Sequence, residues 1–127
     1  MATFEVISAA AIGGGSGSGV GYTAGTKIYV ALLTQTGTDA PVATVLQNTL
    51  GGTLVWTYSD IGSYIGTLLG AFTENKSILM FQNMGWDDSP RNYLARIDDN
   101  SIALVIQAGD GALTAFSSAF IQILVFP

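Results

Sequence analysis

From residue 27 onward the apolar residues recur at every second position, and clusters of Gly, Asn, Asp and Pro cut the alternation into short pieces. A period of two places successive side chains on opposite faces of an extended strand, whereas a helix needs apolar residues three and four apart to build one continuous stripe. No stretch of this chain offers such a stripe over three turns. The chain is therefore confined to β architectures, and the question becomes how many strands it makes and what covers their faces.

Eight pieces carry the strand pattern: Lys27 to Gln35, Val42 to Gln47, Leu54 to Tyr58, Tyr64 to Leu69, Ser77 to Gln82, Tyr93 to Ile97, Ile102 to Gln107 and Phe120 to Phe126. The breaks between them are turn chemistry. Thr36-Gly-Thr-Asp-Ala-Pro41, Gly51-Gly52, Gly70, Glu74-Asn-Lys76 and Asp98-Asp-Asn100 supply residues that accept positive φ or hydrogen-bond their own backbone. The first piece is apolar on both faces, with Ile28, Val30 and Leu32 alternating against Tyr29, Ala31 and Leu33. Only a central or interface strand tolerates that pattern. Leu54, Trp56 and Tyr58 share one face, and the spacing of Tyr93 to Ile97 and Ile102 to Gln107 describes a hairpin. Eight short strands in about a hundred residues predict an antiparallel β-sandwich or jelly-roll-like domain.

The 127 residues suffice for one core and leave little for a second. Residues 20–127 form the expected sandwich domain. Before it, Gly13-Gly-Gly-Ser-Gly-Ser-Gly19 has no side chain larger than Ser and reads as a tether, preceded by a short apolar arm, so residues 1–19 form an N-terminal arm and tether. The arm carries Glu5 and no cationic start, which does not match a secretory signal. Its other reading is a first strand followed by a loop.

The surface is unusual in chemistry. Four cations and nine carboxylates stand against 33 Ser, Thr, Asn and Gln residues, so neutral polar groups coat most of the wet surface. Apolar residues make up 49% of the chain, more than one small core easily hides, which implies that some apolar surface is covered by a partner. The net charge of −5, with only Lys27, Lys76, Arg91 and Arg96 as cations, leaves no basic stripe for nucleic acid. The uncharged runs Val6 to Thr26 and Gly111 to Pro127 are broken by Gly, Ser, Thr and Gln and do not read as membrane spans.

Motifs that carry chemistry are few. The chain has neither His nor Cys, which removes the commonest general base and the usual transition-metal ligands. Ser and Thr are abundant, but nothing is spaced to activate a hydroxyl. Gly19-Val-Gly21-Tyr-Thr-Ala24 has the glycine spacing of a dinucleotide fingerprint, yet it leads toward a strand and not a helix. Asp87-Asp88 and Asp98-Asp99 are the only carboxylate pairs. They read as turns, with calcium binding or carboxylate catalysis as the alternatives. The expectation is a protein without catalytic, cofactor or metal residues, and not an enzyme.

Aromatic residues supply the remaining candidates. Trp56, Tyr58, Tyr64, Trp86 and Tyr93 together have the chemistry of a sugar-stacking platform, although core packing is the natural role of Trp56. Trp86 lies in Met84-Gly-Trp-Asp-Asp-Ser-Pro-Arg91, which reads as a loop and sets a large ring where a core has little use for it. Trp86 and Tyr93 are therefore the candidate contacts for a protein partner or a glycan.

Tyr29-Val-Ala-Leu-Leu-Thr-Gln-Thr-Gly-Thr-Asp-Ala-Pro41, Val45-Leu-Gln-Asn-Thr-Leu-Gly-Gly-Thr-Leu-Val-Trp56 and Ala71-Phe-Thr-Glu-Asn-Lys76 resemble small β-rich proteins encoded by phages and prophages of Bacteroidetes hosts, including crAss-like and flavobacterial phages. The ending, Asp110-Gly-Ala-Leu113 and Phe120-Ile-Gln-Ile-Leu-Val-Phe-Pro127, is similar as well. The resemblance covers roughly residues 27–83 and the C-terminal strand. It implies a virion setting and no active site. Joined to the composition, it leads to the expectation of a capsid decoration, head-fibre or tail-associated protein. Its partners would be copies of itself, with a trimer favoured by analogy with phage fibres, and other virion proteins. A host-surface glycan is the alternative partner.

Overall fold

The computed structural model describes residues 22–83, 92–107, 113–114 and 116–127. Eight strands follow one another: β1 (Lys27–Thr34), β2 (Val42–Asn48), β3 (Val55–Asp60), β4 (Ser63–Thr67), β5 (Ser77–Asn83), β6 (Tyr93–Asp98), β7 (Ser101–Val105) and β8 (Ser118–Val125). They form two four-stranded sheets, ordered β2-β1-β8-β5 and β3-β4-β7-β6, and every ladder is antiparallel. The two sheets make a β-sandwich. β1 pairs with β8 and β4 pairs with β7, so late strands return beside early ones in both sheets.

One core lies between the sheets. β1 contributes Tyr29, Ala31 and Leu33, and β8 contributes Ala119, Ile121 and Ile123. They face Trp56 of β3, Tyr64 of β4 and Ile102 and Leu104 of β7, with Phe72 and Phe116 entering from the connections. Each large side chain taken fully out of water contributes roughly 1.5–3 kcal/mol, so this layer is the main source of stability. β1 sits inside its sheet between β2 and β8, which is where a strand apolar on both faces belongs.

Strand ends differ from the sequence reading by one or two residues, for local reasons. Leu68 and Leu69 continue the apolar pattern of β4 but lie outside it. The Leu68 N–H donates to the Asn100 carbonyl at 2.9 Å, and Gly70 at φ 71° turns the chain, leaving Leu69 exposed. Ile106 likewise leaves β7, its N–H donating to the Gly62 carbonyl at 2.8 Å.

Two glycines are fixed by contact. Gly66 of β4 lies under the Trp56 ring, where a Cβ would stand 3.2 Å from two ring carbons and 3.1 Å from Ile102 Cγ1. Gly62, between β3 and β4, has φ 72°, and a Cβ there would fall 2.5 Å from the Thr114 carbonyl oxygen. The same turn is closed by the Gly62 N–H donating to Tyr64 Oη at 3.3 Å.

Candidate interaction surface

The outward face of the β2-β1-β8-β5 sheet is the most distinctive surface of the described protein. Alternation in β1 turns Tyr29, Ala31 and Leu33 inward and leaves Ile28, Val30 and Leu32 outward and half-buried. Register then lines up three rows across the sheet: Ile28, Leu124 and Ile78; Val30, Gln122 and Met80; Leu32, Phe120 and Gln82. Ile78 and Met80 are exposed and Leu124 is buried; on the edge strand β2 register adds the exposed Val42 together with Thr44 and Gln47, while Val45 lies opposite the inward Ala31. The four strands carry a single charged residue, Lys27.

The opposite sheet carries more charge on its strands and more small residues on its outward side. Its outward positions mix small residues, among them Thr57, Ser63, Thr67, Ala95, Ser101 and Ala103, with Val55, Ile65, Val105 and Tyr93 in the same rows, Val55 and Tyr93 being exposed, and its strands carry Asp60, Arg96 and Asp98. Water covers small hydroxyl-bearing and alanine side chains at little cost, whereas the adjoining Ile28, Val30, Leu32, Phe120, Ile78 and Met80 form a contiguous apolar stretch interrupted only by Gln122.

The candidate contact residues separate. Tyr93 begins β6 and is half-exposed, paired in register with Val105. Trp86, Asp87 and Asp88 lie outside the described residues, as does the arm and tether of residues 1–19. Trp56 and Tyr64 belong to the core, which corrects the idea of a five-ring stacking platform. Tyr64 packs edge-on against Phe116 at 5.3 Å and against Tyr58 at 6.1 Å. Alternation alone could have predicted this, because both rings lie on the inward parity of their strands.

The Asp98-Asp99 pair is committed to its own hairpin. Asp98 Oδ1 accepts the Asn100 N–H and the Ser101 hydroxyl, each at 2.8 Å, and these bonds, the backbone one foremost, hold its carboxyl below the usual range. Asp99 pairs with Arg96. Arg96 Nε donates to the Phe72 carbonyl at 2.6 Å, Glu74 stands 4.0 Å from the guanidinium, and the Gly70 N–H donates to Asn100 Oδ1 at 2.8 Å. Glu74, Arg96, Ile97, Asp98, Asp99 and Asn100 line a shallow, open depression of about 450 Å³. Its polar groups fasten the β6–β7 hairpin to the β4–β5 connection. Among the described residues no three acidic side chains stand close enough to share a metal ion, and no helix is long and apolar enough to cross a membrane.

Compared with protein-family models, curated proteins and solved structures, the chain matches none.

Proposed function

We propose that this protein is a structural component of a bacteriophage particle: a capsid decoration, head-fibre or tail-associated subunit that acts by packing against copies of itself and other virion proteins. The observation that carries the reading is the nearly charge-free, apolar outward face of the β2-β1-β8-β5 sheet. A freely dissolved monomer rarely leaves such a face to water, whereas a permanently assembled subunit covers it. The resemblance to phage-encoded β-rich proteins supports the setting. No catalytic step is part of this reading, which places the chain in the virion.

Mass spectrometry of purified particles of a phage encoding the chain tests it. The chain should be present at a stoichiometry comparable with other structural subunits, and its absence from intact particles would sink the proposal.

A second reading, a carbohydrate-binding or host-adsorption module, draws on Tyr93, a half-exposed ring on an edge strand. Glycan-array binding lost in Tyr93→Ala or Trp86→Ala would favour it, and an array with no bound glycan would remove it.

A further inference from the structure

Of the three amides on the outward face, Gln47 and Gln82 lie on the edge strands and Gln122 stands at the centre. Val30 and Met80 flank it across the sheet, and Phe120 and Leu124 flank it along β8 on the same side. A glutamine amide both donates and accepts, so it can be covered by an identical amide with both hydrogen bonds made. A plain hydrocarbon cover would leave it unpartnered, at a cost of about 1–3 kcal/mol.

Charge points to the same cover. The chain carries a net charge of −5, which opposes self-association wherever carboxylates would be brought together. The described carboxylates Asp39, Asp60, Glu74, Asp98 and Asp99 all lie off the four strands of this sheet. Two copies can therefore meet here without opposing any of these described carboxylates, and among the described residues a strongly basic partner finds no carboxylate on this face to pair with.

We infer that this face is the contact through which two copies of the chain pair about a two-fold axis, sheet against sheet, with Gln122 opposite its own counterpart. The inference rests on the assembly reading above and adds its surface, partner and symmetry. Four strands at ~4.8 Å and seven residues at ~3.3 Å give a flat patch of roughly 400 Å². That is below the ~800 Å² per partner of a standard interface, so pairing is expected to depend on concentration. A two-fold contact also requires an even number of chains: a dimer alone, or a hexamer where a three-fold contact operates elsewhere.

The test is the solution mass of the full chain by light scattering over a wide concentration range, for the wild type, Gln122→Glu and Thr57→Glu. Thr57 is exposed on the outward side of the other sheet and controls for added charge. The wild type and Thr57→Glu should rise to an even multiple of the chain mass. Gln122→Glu, which would bury an unpaired charge, should weaken pairing by at least about a hundredfold with an unchanged melting curve. Because the chain has no cysteine, a second readout is clean even if Gln122→Glu folds poorly: Gln122→Cys should oxidise to a covalent dimer, and Thr57→Cys should not.

An oligomer unmoved by Gln122→Glu, or a bare trimer, overturns this inference and leaves the assembly reading standing. A single-chain mass at every concentration removes self-assembly and this inference together. A single-chain mass that becomes even-numbered once residues 1–19 are deleted would mean that the N-terminal segment covers the face, and would equally overturn the pairing.

Discussion

Tyr29 of β1 and Trp56 of β3 meet inside the sandwich, the phenol beside the indole, one from each sheet. Burial pushes the Tyr29 phenol pKa up, and the neighbouring indole draws it partway back. Neither Tyr29 Oη nor Trp56 Nε1 has a partner at full hydrogen-bonding geometry. The pair is thus held chiefly by packing, with a weak polar contact between the rings.

This arrangement predicts how stability responds to alkali. A tyrosine whose folded pKa lies above its unfolded value contributes stability that is present below the unfolded value of about 10 and is lost as pH rises through the folded one. Tyr64 shifts upward as well, through burial first, with the Gly62 N–H opposing it and Tyr58 reinforcing it. Urea midpoints should fall as pH passes 10, and less steeply in Tyr29→Phe. An identical slope in that variant would show that Tyr29 does not titrate in this range.

At the acid end the sign reverses. Asp98, held below its ordinary value by the Asn100 N–H and the Ser101 hydroxyl, contributes stability that is present above the unfolded carboxylate value and lost as pH falls through the lowered folded one. Asp98→Ala should flatten the acid limb of the stability profile while leaving the profile above pH 7 parallel to wild type. Parallel acid limbs would mean that other carboxylates govern that transition.

Arg96 joins two connections that no sheet ladder joins. Its bond to the Phe72 carbonyl is charge-assisted and partly buried, so Arg96→Ala should cost about 1.5–3 kcal/mol. Asp99→Ala, which removes an exposed partner, should cost about 0.2–1 kcal/mol. Chemical denaturation of both variants checks the order, and equal losses would mean that the ion pair, not the carbonyl bond, carries the junction.

Gly62 and Gly66 should rank clearly. Gly66→Ala presses a methyl against the Trp56 ring and Ile102, an overpacking of about 1–3 kcal/mol. Gly62→Ala adds positive-φ strain to a collision with backbone, which cannot swing aside as a side chain can. It should be the worse of the two, up to loss of folding. Thermal unfolding of each decides, and a milder Gly62→Ala would contradict the close approach of Thr114.

Deleting residues 1–19 should leave a cooperative unfolding transition near that of the full chain, because the six ladders among the described residues lie within residues 27–125. Incorporation into particles should fall. Loss of folding would mean that the arm supplies a core strand.

The number, order and approximate ends of the strands were legible in the amino-acid sequence, because alternation and turn residues act within a few positions of one another. So was the double-sided character of β1, from Ile28, Val30 and Leu32 set against Tyr29, Ala31 and Leu33. The candidate surface was legible only in part. An excess of apolar residues raised the expectation of a covered surface but did not say where it would lie.

Pairing decided the rest. That β8 lies beside β1, so that Gln122 stands next to Val30 and Phe120 next to Leu32, depends on contacts between residues about ninety positions apart. No local pattern encodes that separation. Packing between connections likewise tied Arg96 to Phe72. Local sequence specifies which side of each strand is apolar, because side-chain direction alternates with the backbone. Only the closed sandwich determines which apolar sides face each other and which is left outward, because that depends on how the sheets pack as a whole.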